Sequence, residues 1–268
     1  MKLTYLGTAA AEGFPAVFCN CRHCNEARRL GGKNIRTRSQ ALVNDDLLID
    51  FPADTLCHFL NNGIQADKIK HLLITHTHAD HFYARDIQRR RRPYAHDMRV
   101  PALDMVCSSV TAELLEKADS VEVKIVKPFD TVRLGDYEIT ALPARHMPGG
   151  EALFYIIRGD KTLLYAHDTG YFYDEVFEYI EKSGTVFDMI SLDCTNVHIP
   201  IADTSGHMGF PNIERVLARL SSIGAINEST VKYINHFSHN GGPLQHLLEA
   251  DAEKHGCHVS YDGCRVEF

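Results

Sequence analysis

Residues 76–81 read His76-Thr77-His78-Ala79-Asp80-His81, and this stretch constrains the chain more than any other. It follows Ile69-Lys70-His71-Leu72-Leu73-Ile74-Thr75, an apolar, β-branched run that predicts a buried strand. Four strong metal ligands therefore stand where a strand ends and a loop begins, the part of a rigid scaffold that presents chemistry to solvent. His76 and His78 can point two imidazoles at one ion, while Asp80 and His81 lie within reach of a second. A lone histidine in a loop is more often a plain polar residue. Three histidines and an aspartate at this spacing are a donor set that zinc-like ions take.

The H-x-H-x-D-H pattern resembles the signature of the metallo-β-lactamase-fold hydrolases. That resemblance implies three further ligands, each at a strand end and in a set order. His146 follows the strand-like Tyr137–Leu142, in Ala144-Arg145-His146-Met147-Pro148-Gly149. Asp168 ends the apolar run Thr162-Leu163-Leu164-Tyr165-Ala166-His167, and His236 ends Val231-Lys232-Tyr233-Ile234-Asn235. By the family pattern, His76, His78 and His146 hold one divalent ion, Asp80, His81 and His236 hold the other, and Asp168 bridges them. The implied fold is α/β, an αββα four-layer sandwich spanning 1–268 as one domain, whereas periodicity alone predicts only a mixed α/β class. Two such ions acidify a water and offset charge on phosphoryl oxygens, so the implied chemistry asks for no nucleophilic side chain. Zinc and manganese are the expected ions, with iron and nickel as further candidates, because mixed His/carboxylate sites accept all four.

Cys19-Asn20-Cys21-Arg22-His23-Cys24 places three thiols in six residues. A structural zinc takes about four N or S ligands, so one is missing locally; a cluster of merely buried or reactive thiols is the alternative. His23 adjoins Cys24 and would need awkward geometry. His239, three residues beyond His236, is the better fourth ligand. This arrangement resembles one branch of the superfamily, the cyclic phosphodiesterase that accompanies carbon–phosphorus lyase, where a C-x-C-x2-C site after the first strand is completed by such a histidine. The other cysteines, Cys57, Cys107, Cys194, Cys257 and Cys264, lack ligand spacing.

The same branch carries a histidine that acts on the phosphate or the departing oxygen. His207, in Asp203-Thr204-Ser205-Gly206-His207-Met208-Gly209-Phe210, matches it, and imidazole suits general acid work. A helix-capping or exposed histidine is the bland alternative. His198 is a weaker rival, and alternation turns His167 and His71 away from the ligand side. The expected activity is therefore hydrolysis of a small cyclic or nucleotide-like phosphodiester, with His207 and Asp168 as the catalytic pair. The alternatives are tRNA 3′-end processing and an oxidoreductase-type role in cofactor biosynthesis.

The remaining pattern predicts strands at Lys2–Gly7, Gln40–Val43, Leu47–Asp50, Val121–Val126, Thr131–Leu134, Ala152–Ile157 and Met189–Leu192. Helices are expected at Thr55–Asn62, closed by Gly63, and at Ala84–Arg92, Tyr173–Lys182, Pro211–Ser221 and Pro243–Lys254. Between Phe82 and Ser120 the chain is basic and shows no family motif. A formal charge of −7 disfavours nucleic acid, Arg89–Arg92 being a local exception. No apolar run is long enough to span a bilayer, and the N-terminus reads as a strand rather than a signal peptide. The expectation is a cytoplasmic protein with reduced thiols, a small-molecule partner, no nucleic acid or membrane, and a homodimer as the assembly to test.

Overall fold

Alternation along the strands sorts side chains onto two faces, and that sorting builds the layers. In β1 (Lys2–Gly7), Leu3 and Tyr5 join a core shared with Tyr155, Ile157 and Tyr165, while Leu6 packs with Leu72, Ile74 and Met105 on the opposite face. The Thr162–Ala166 strand divides likewise: Leu163 and Tyr165 enter the shared core, and Leu164 and Ala166 pack against Phe177, Val216 and Leu248. The computed structural model describes residues 1–115, 120–147 and 151–268, so Pro148 and Gly149 of the expected His146 turn lie outside the described residues.

Strands β2 (Gln40–Val43), β3 (Leu47–Ile49), β4 (His71–Leu73), β5 (Leu103–Cys107) and β6 (Val121–Ile125) join β1 in one sheet. Strands β7 (Thr131–Leu134), β8 (Tyr137–Pro143), β9 (Leu153–Arg158), β10 (Thr162–Ala166), β11 (Met189–Asp193), β12 (Val231–Asn235) and β13 (His258–Val259) form the other, and β14 (Arg265–Glu267) returns to the first. The orders are β14-β1-β2-β3-β4-β5-β6 and β13-β12-β11-β10-β9-β8-β7. Helices α2 (Thr55–Asn62), α3 (Ala84–Ile87) and α4 (Ser109–Leu114) pack on part of the outer face of the first sheet. Helices α5 (Asp174–Ser183), α6 (Phe210–Ser222) and α7 (Gln245–Lys254) cover the second, which gives the αββα order. A further helix, α1 (Arg22–Leu30), leaves the cysteine loop and packs with Ala9, Phe14 and Leu244.

Two expected elements are shorter than their patterns by more than two residues. The Ile69–Thr75 strand is reduced to β4, because Thr75 N turns from the ladder to donate to Asp50 Oδ1 at 2.8 Å. The Ala84–Arg92 helix stops at Ile87. Beyond it, Arg89 N bonds Asp86 O and Arg90 N bonds Ile87 O, three-residue turns rather than helical bonds. Arg90 Nη2 there donates to Val100 O at 2.7 Å, and Pro93 further on bars a helix from continuing past Arg92. By contrast, α2 ends where its pattern does, on Gly63 at φ 65°, a left-handed cap.

In both sheets the parallel strands, β3 to β6 and β10 to β13, aim their carboxyl ends at one rim. The chain beyond β1 must pass close by. A Cβ on Gly7 would lie 1.9 Å from Arg38 O, inside the backbone. Gly7→Ala should therefore lower unfolding free energy by about 1–3 kcal/mol, the range of an overpacked core. The midpoint of urea denaturation, at unchanged slope, reads this directly.

Candidate metal centre

The loop after β4 folds back on itself, His81 N and Phe82 N both donating to His78 O at 2.9 Å, which gathers the ligands of 76–81 at the rim. His146 arrives beyond β8, Asp168 beyond β10 and His236 beyond β12. Asp168 and His236 adopt positive φ, 50° and 64°, as does Asp50 at 65°. Each is a left-handed conformation costing about 1–3 kcal/mol in a non-glycine residue, held here by its surroundings.

These residues make two groups of ligand atoms around one carboxylate. His76 Nε2 and His146 Nε2 each lie 3.0 Å from His78 Nδ1. Asp80, His81 and His236 form the second group, with His81 Nε2 3.3 Å from Asp80 Oδ2. Asp168 stands between them: Oδ1 is 3.6 Å from His146 Nε2, and Oδ2 is 3.0 Å from both His81 Nε2 and His236 Nε2. All seven residues expected at the centre are thus brought together.

The opposite edge of each ring explains why these nitrogens are available. His81 Nδ1 donates to Asp50 Oδ2 at 2.7 Å, and His76 Nδ1 to Thr75 Oγ1 at 3.0 Å. His146 Nδ1 donates to Gly206 O at 3.1 Å, and His236 Nδ1 to Thr195 Oγ1 at 2.8 Å. Such partners fix the tautomer and leave an Nε2 lone pair facing inward. His81 Nε2, His236 Nε2 and Asp168 Oδ2 are buried without a hydrogen-bond partner. Buried polar atoms are rarely orphaned, and imidazole with carboxylate is a donor set for divalent transition metals. The residues present therefore fit such ions.

Electrostatics agree. Burial, with the imidazoles around it, holds His76 well below its usual range, so it is neutral and ready to ligate. Burial also opposes a charge on His81, but Asp168 and Asp50 outweigh it and raise His81 well above the usual value. The protein's carboxylates thus call for positive charge at this point.

A second cluster lies on the loop that leaves β12. The sulfurs of Cys19, Cys21 and Cys24 and one ring nitrogen of His239 lie within 4.8 Å of one another. His239 Nδ1 is 3.8 Å from Cys21 Sγ and 3.7 Å from Cys24 Sγ. Ala16 N donates to Cys24 Sγ at 3.3 Å and Cys21 N to Cys19 Sγ at 3.4 Å, while burial pushes the Cys24 thiol up to about 11. The hydrogen bond with His239 brings the Cys21 thiol down to about 6. His23 is held aside, its Nδ1 3.5 Å from His239 O. The arrangement has the donor set of a closed structural zinc site.

His207 sits at the edge of the first cluster, its ring centre 4.7 Å from that of His146 and 5.5 Å from that of His236. His198 instead pairs with Asp251 at 2.8 Å on the surface. His167 bonds Ser191 Oγ at 2.7 Å between the sheets, and His71 lies 3.0 Å from Asp104, so neither faces the centre.

Motif reading did not find Asp50, Thr75, Asp193 or Thr195 as parts of the site. Asp193 is fully buried and accepts from Asp168 N at 3.1 Å, Thr195 N at 3.0 Å and Met208 N at 2.9 Å. The available signal was an aspartate at the carboxyl end of an apolar strand, which both Asp50 and Asp193 provide.

A family model described as the beta-lactamase superfamily domain matches residues 49–236. No curated protein matches the chain. Among solved structures, a diphosphatase of the PhnP family is 22% identical with a TM-score of 0.75, over 100% of this chain and 97% of that one. Zinc-bound PqqB from Methylobacterium extorquens is 15% identical with a TM-score of 0.76, over 100% of both chains. The metallo-beta-lactamase fold protein YhfI from Bacillus subtilis is 17% identical with a TM-score of 0.71, over 100% and 99%. At these identities the likeness is one of fold.

Two substitutions separate the clusters. Asp168→Ala should lose the ions of the histidine cluster and keep about one zinc at the cysteine site, as elemental analysis after metal loading will show. Cys21→Ser should lose about one zinc equivalent and lower the thermal midpoint, because metal binding at a closed site contributes directly to folding.

Proposed function

The chain belongs to the beta-lactamase superfamily domain family, and from that premise we propose that it is a metal-dependent phosphodiesterase acting on a small cyclic or nucleotide-like phosphodiester. Two divalent ions, held by His76, His78 and His146 on one side and Asp80, His81 and His236 on the other with Asp168 between, would supply an acidified water and neutralise charge on phosphoryl oxygens. The zinc in the PqqB neighbour makes zinc the first ion to test.

The observation that carries the reading is the setting of His207. Its Nδ1 donates to Asp193 Oδ2 at 3.0 Å and lies 3.1 Å from Thr195 Oγ1, and among the described residues nothing bonds its Nε2. The ring is therefore anchored on one edge and open on the other. Burial opposes its charge, but Asp193 and Asp168 outweigh that and push it up to about 9. The Asp193 carboxylate, which holds no proposed ion, favours the protonated ring, the form a general acid needs. An alkoxide leaving a phosphodiester requires such a proton. Asp193 acts through His207 and is a positioning residue; it also fixes the backbone of Asp168, so proton donor and bridging carboxylate share one support.

Purified protein loaded with Zn²⁺ or Mn²⁺ should hydrolyse bis(p-nitrophenyl) phosphate and at least one of a set of cyclic nucleotides and ribosyl cyclic phosphates, and leave nitrocefin intact. The diphosphatase neighbour makes a phosphoanhydride the second bond to include. His207→Ala should lose roughly 10²–10⁴ in kcat on a substrate with an alkoxide leaving group. The loss should shrink on p-nitrophenyl esters, whose leaving group needs little protonation, and metal content should not change. Wild-type turnover of the alkoxide substrate should fall as pH rises through the His207 pKa and its acid form is lost; the variant should lack this limb. An equal loss on both substrates would assign His207 to phosphate binding instead.

A further inference from the structure

The first sheet is only partly roofed on its outer face. With α3 ending at Ile87, residues 88–102 arch over that face without helix or strand and enclose a cavity of about 810 Å³ beneath α2. That volume lies within the range of small-molecule pockets, roughly 300–1,000 Å³. The floor is apolar: Leu48, Ile69, Leu72 and Leu103, all buried, form it with Phe59 and Ile87. At the mouth, Leu56 and Tyr94 remain 66% and 60% exposed, so the apolar surface runs out to solvent.

Charge around this cavity is one-sided once pairing is counted. Asp86 is taken by Arg89 at 2.9 Å, and Asp67 by Arg99 at 2.5 Å. Arg90 also lines the cavity, and among the described residues no carboxylate lies within 4.0 Å of it. Its Nη2 donates to Val100 O at 2.7 Å, while its Nε is buried with no partner. Among the described residues nothing bonds its Nη1, which is not buried; a half-buried guanidinium with that donor free, set beside an apolar chamber, is the complement of an anion carrying an apolar tail.

We propose that this cavity is a binding site for an anionic amphiphile, a fatty carboxylate being the simplest, with its tail over Leu48 and Leu72 and its head on Arg90. The site lies behind the candidate metal centre. Phe51, one of its walls, donates from its backbone N–H to His81 O at 2.7 Å, so the occupant packs against the segment that supports a ligand without entering the ligand cluster. The proposal does not rest on the phosphodiesterase reading.

Calorimetric titration of the metal-loaded full chain with octanoate, decanoate and dodecanoate tests it, with dodecyltrimethylammonium as the tail bearing the opposite charge. One molecule should bind per chain, tighter by up to about fourfold per added methylene. The cationic amphiphile should bind more weakly than dodecanoate by at least about tenfold, and Arg90→Gln should weaken dodecanoate by a similar factor while leaving the cation unaffected. Ala95→Phe, which fills the chamber away from every proposed metal ligand, should abolish binding at unchanged metal content. Equal binding of both charges, or dodecanoate binding that survives Arg90→Gln or a folded Ala95→Phe, would overturn the proposal. An absence of binding by any of the three carboxylates would do the same; if the chain then elutes as a dimer, a second copy is the better occupant of the face.

Discussion

One carboxylate among buried imidazoles sets the terms for the rest of the molecule. Asp168 is 3% exposed, its Oδ2 has no hydrogen-bond donor, and His81 and His236 each bring a nitrogen to 3.0 Å from it without bonding it. Left alone, such a cluster would be costly, because buried charge and unpaired polar atoms oppose folding. A structure that maintains it needs rigid supports and a compensating cation. The supports are visible in the rows of acceptors behind the rings: Asp50 and Thr75 from the first sheet, Thr195 and Asp193 from the second, Gly206 O from the loop before α6. Each sheet therefore contributes part of the cluster and part of its backing, and the packing of sheet on sheet brings the parts into register.

The cysteine cluster belongs to the same construction. The segment leaving β12 carries His236 into the first cluster and His239 into the second, three residues apart. Between them, Phe237 is fully buried, with its N–H donating to Thr8 O at 3.0 Å and its carbonyl accepting from Ala10 N at 3.0 Å. The Arg36 guanidinium lies 4.5 Å from the Phe237 ring centre and donates to Thr8 Oγ1, Ser260 O and Gln245 Oε1. A zinc at the cysteines would clamp one end of a short span whose other end presents His236. Its role would be mechanical support for a ligand, at a distance from the chemistry.

How much of this was legible in the sequence follows from which forces are local. Metal-ligand spacing in 76–81 and the strand ends before His146, Asp168 and His236 are local patterns, and the structure gathers those residues into one site. Helix α2 was legible to the residue because its amphipathic run and glycine cap are also local. The supports were not, because Asp50 and Asp193 act through partners 31 and 25 residues away, His81 and Asp168, and no local rule separates them from any other aspartate at a strand end. The region from 82 to 120 failed differently. The pattern predicts a helix over Ala84–Arg92 there, yet the helix ends at Ile87, and β5 emerges from a stretch with no motif to announce it.

Anomalous diffraction from crystals of the zinc-loaded protein tests the central claim most directly. Two peaks about 3.5–4 Å apart, the spacing of a two-metal site, should flank the Asp168 carboxylate, one beside His76, His78 and His146 and the other beside Asp80, His81 and His236. A third should lie on Cys19, Cys21, Cys24 and His239. A single peak at Asp168, or none there while the cysteine site is filled, would contradict the account.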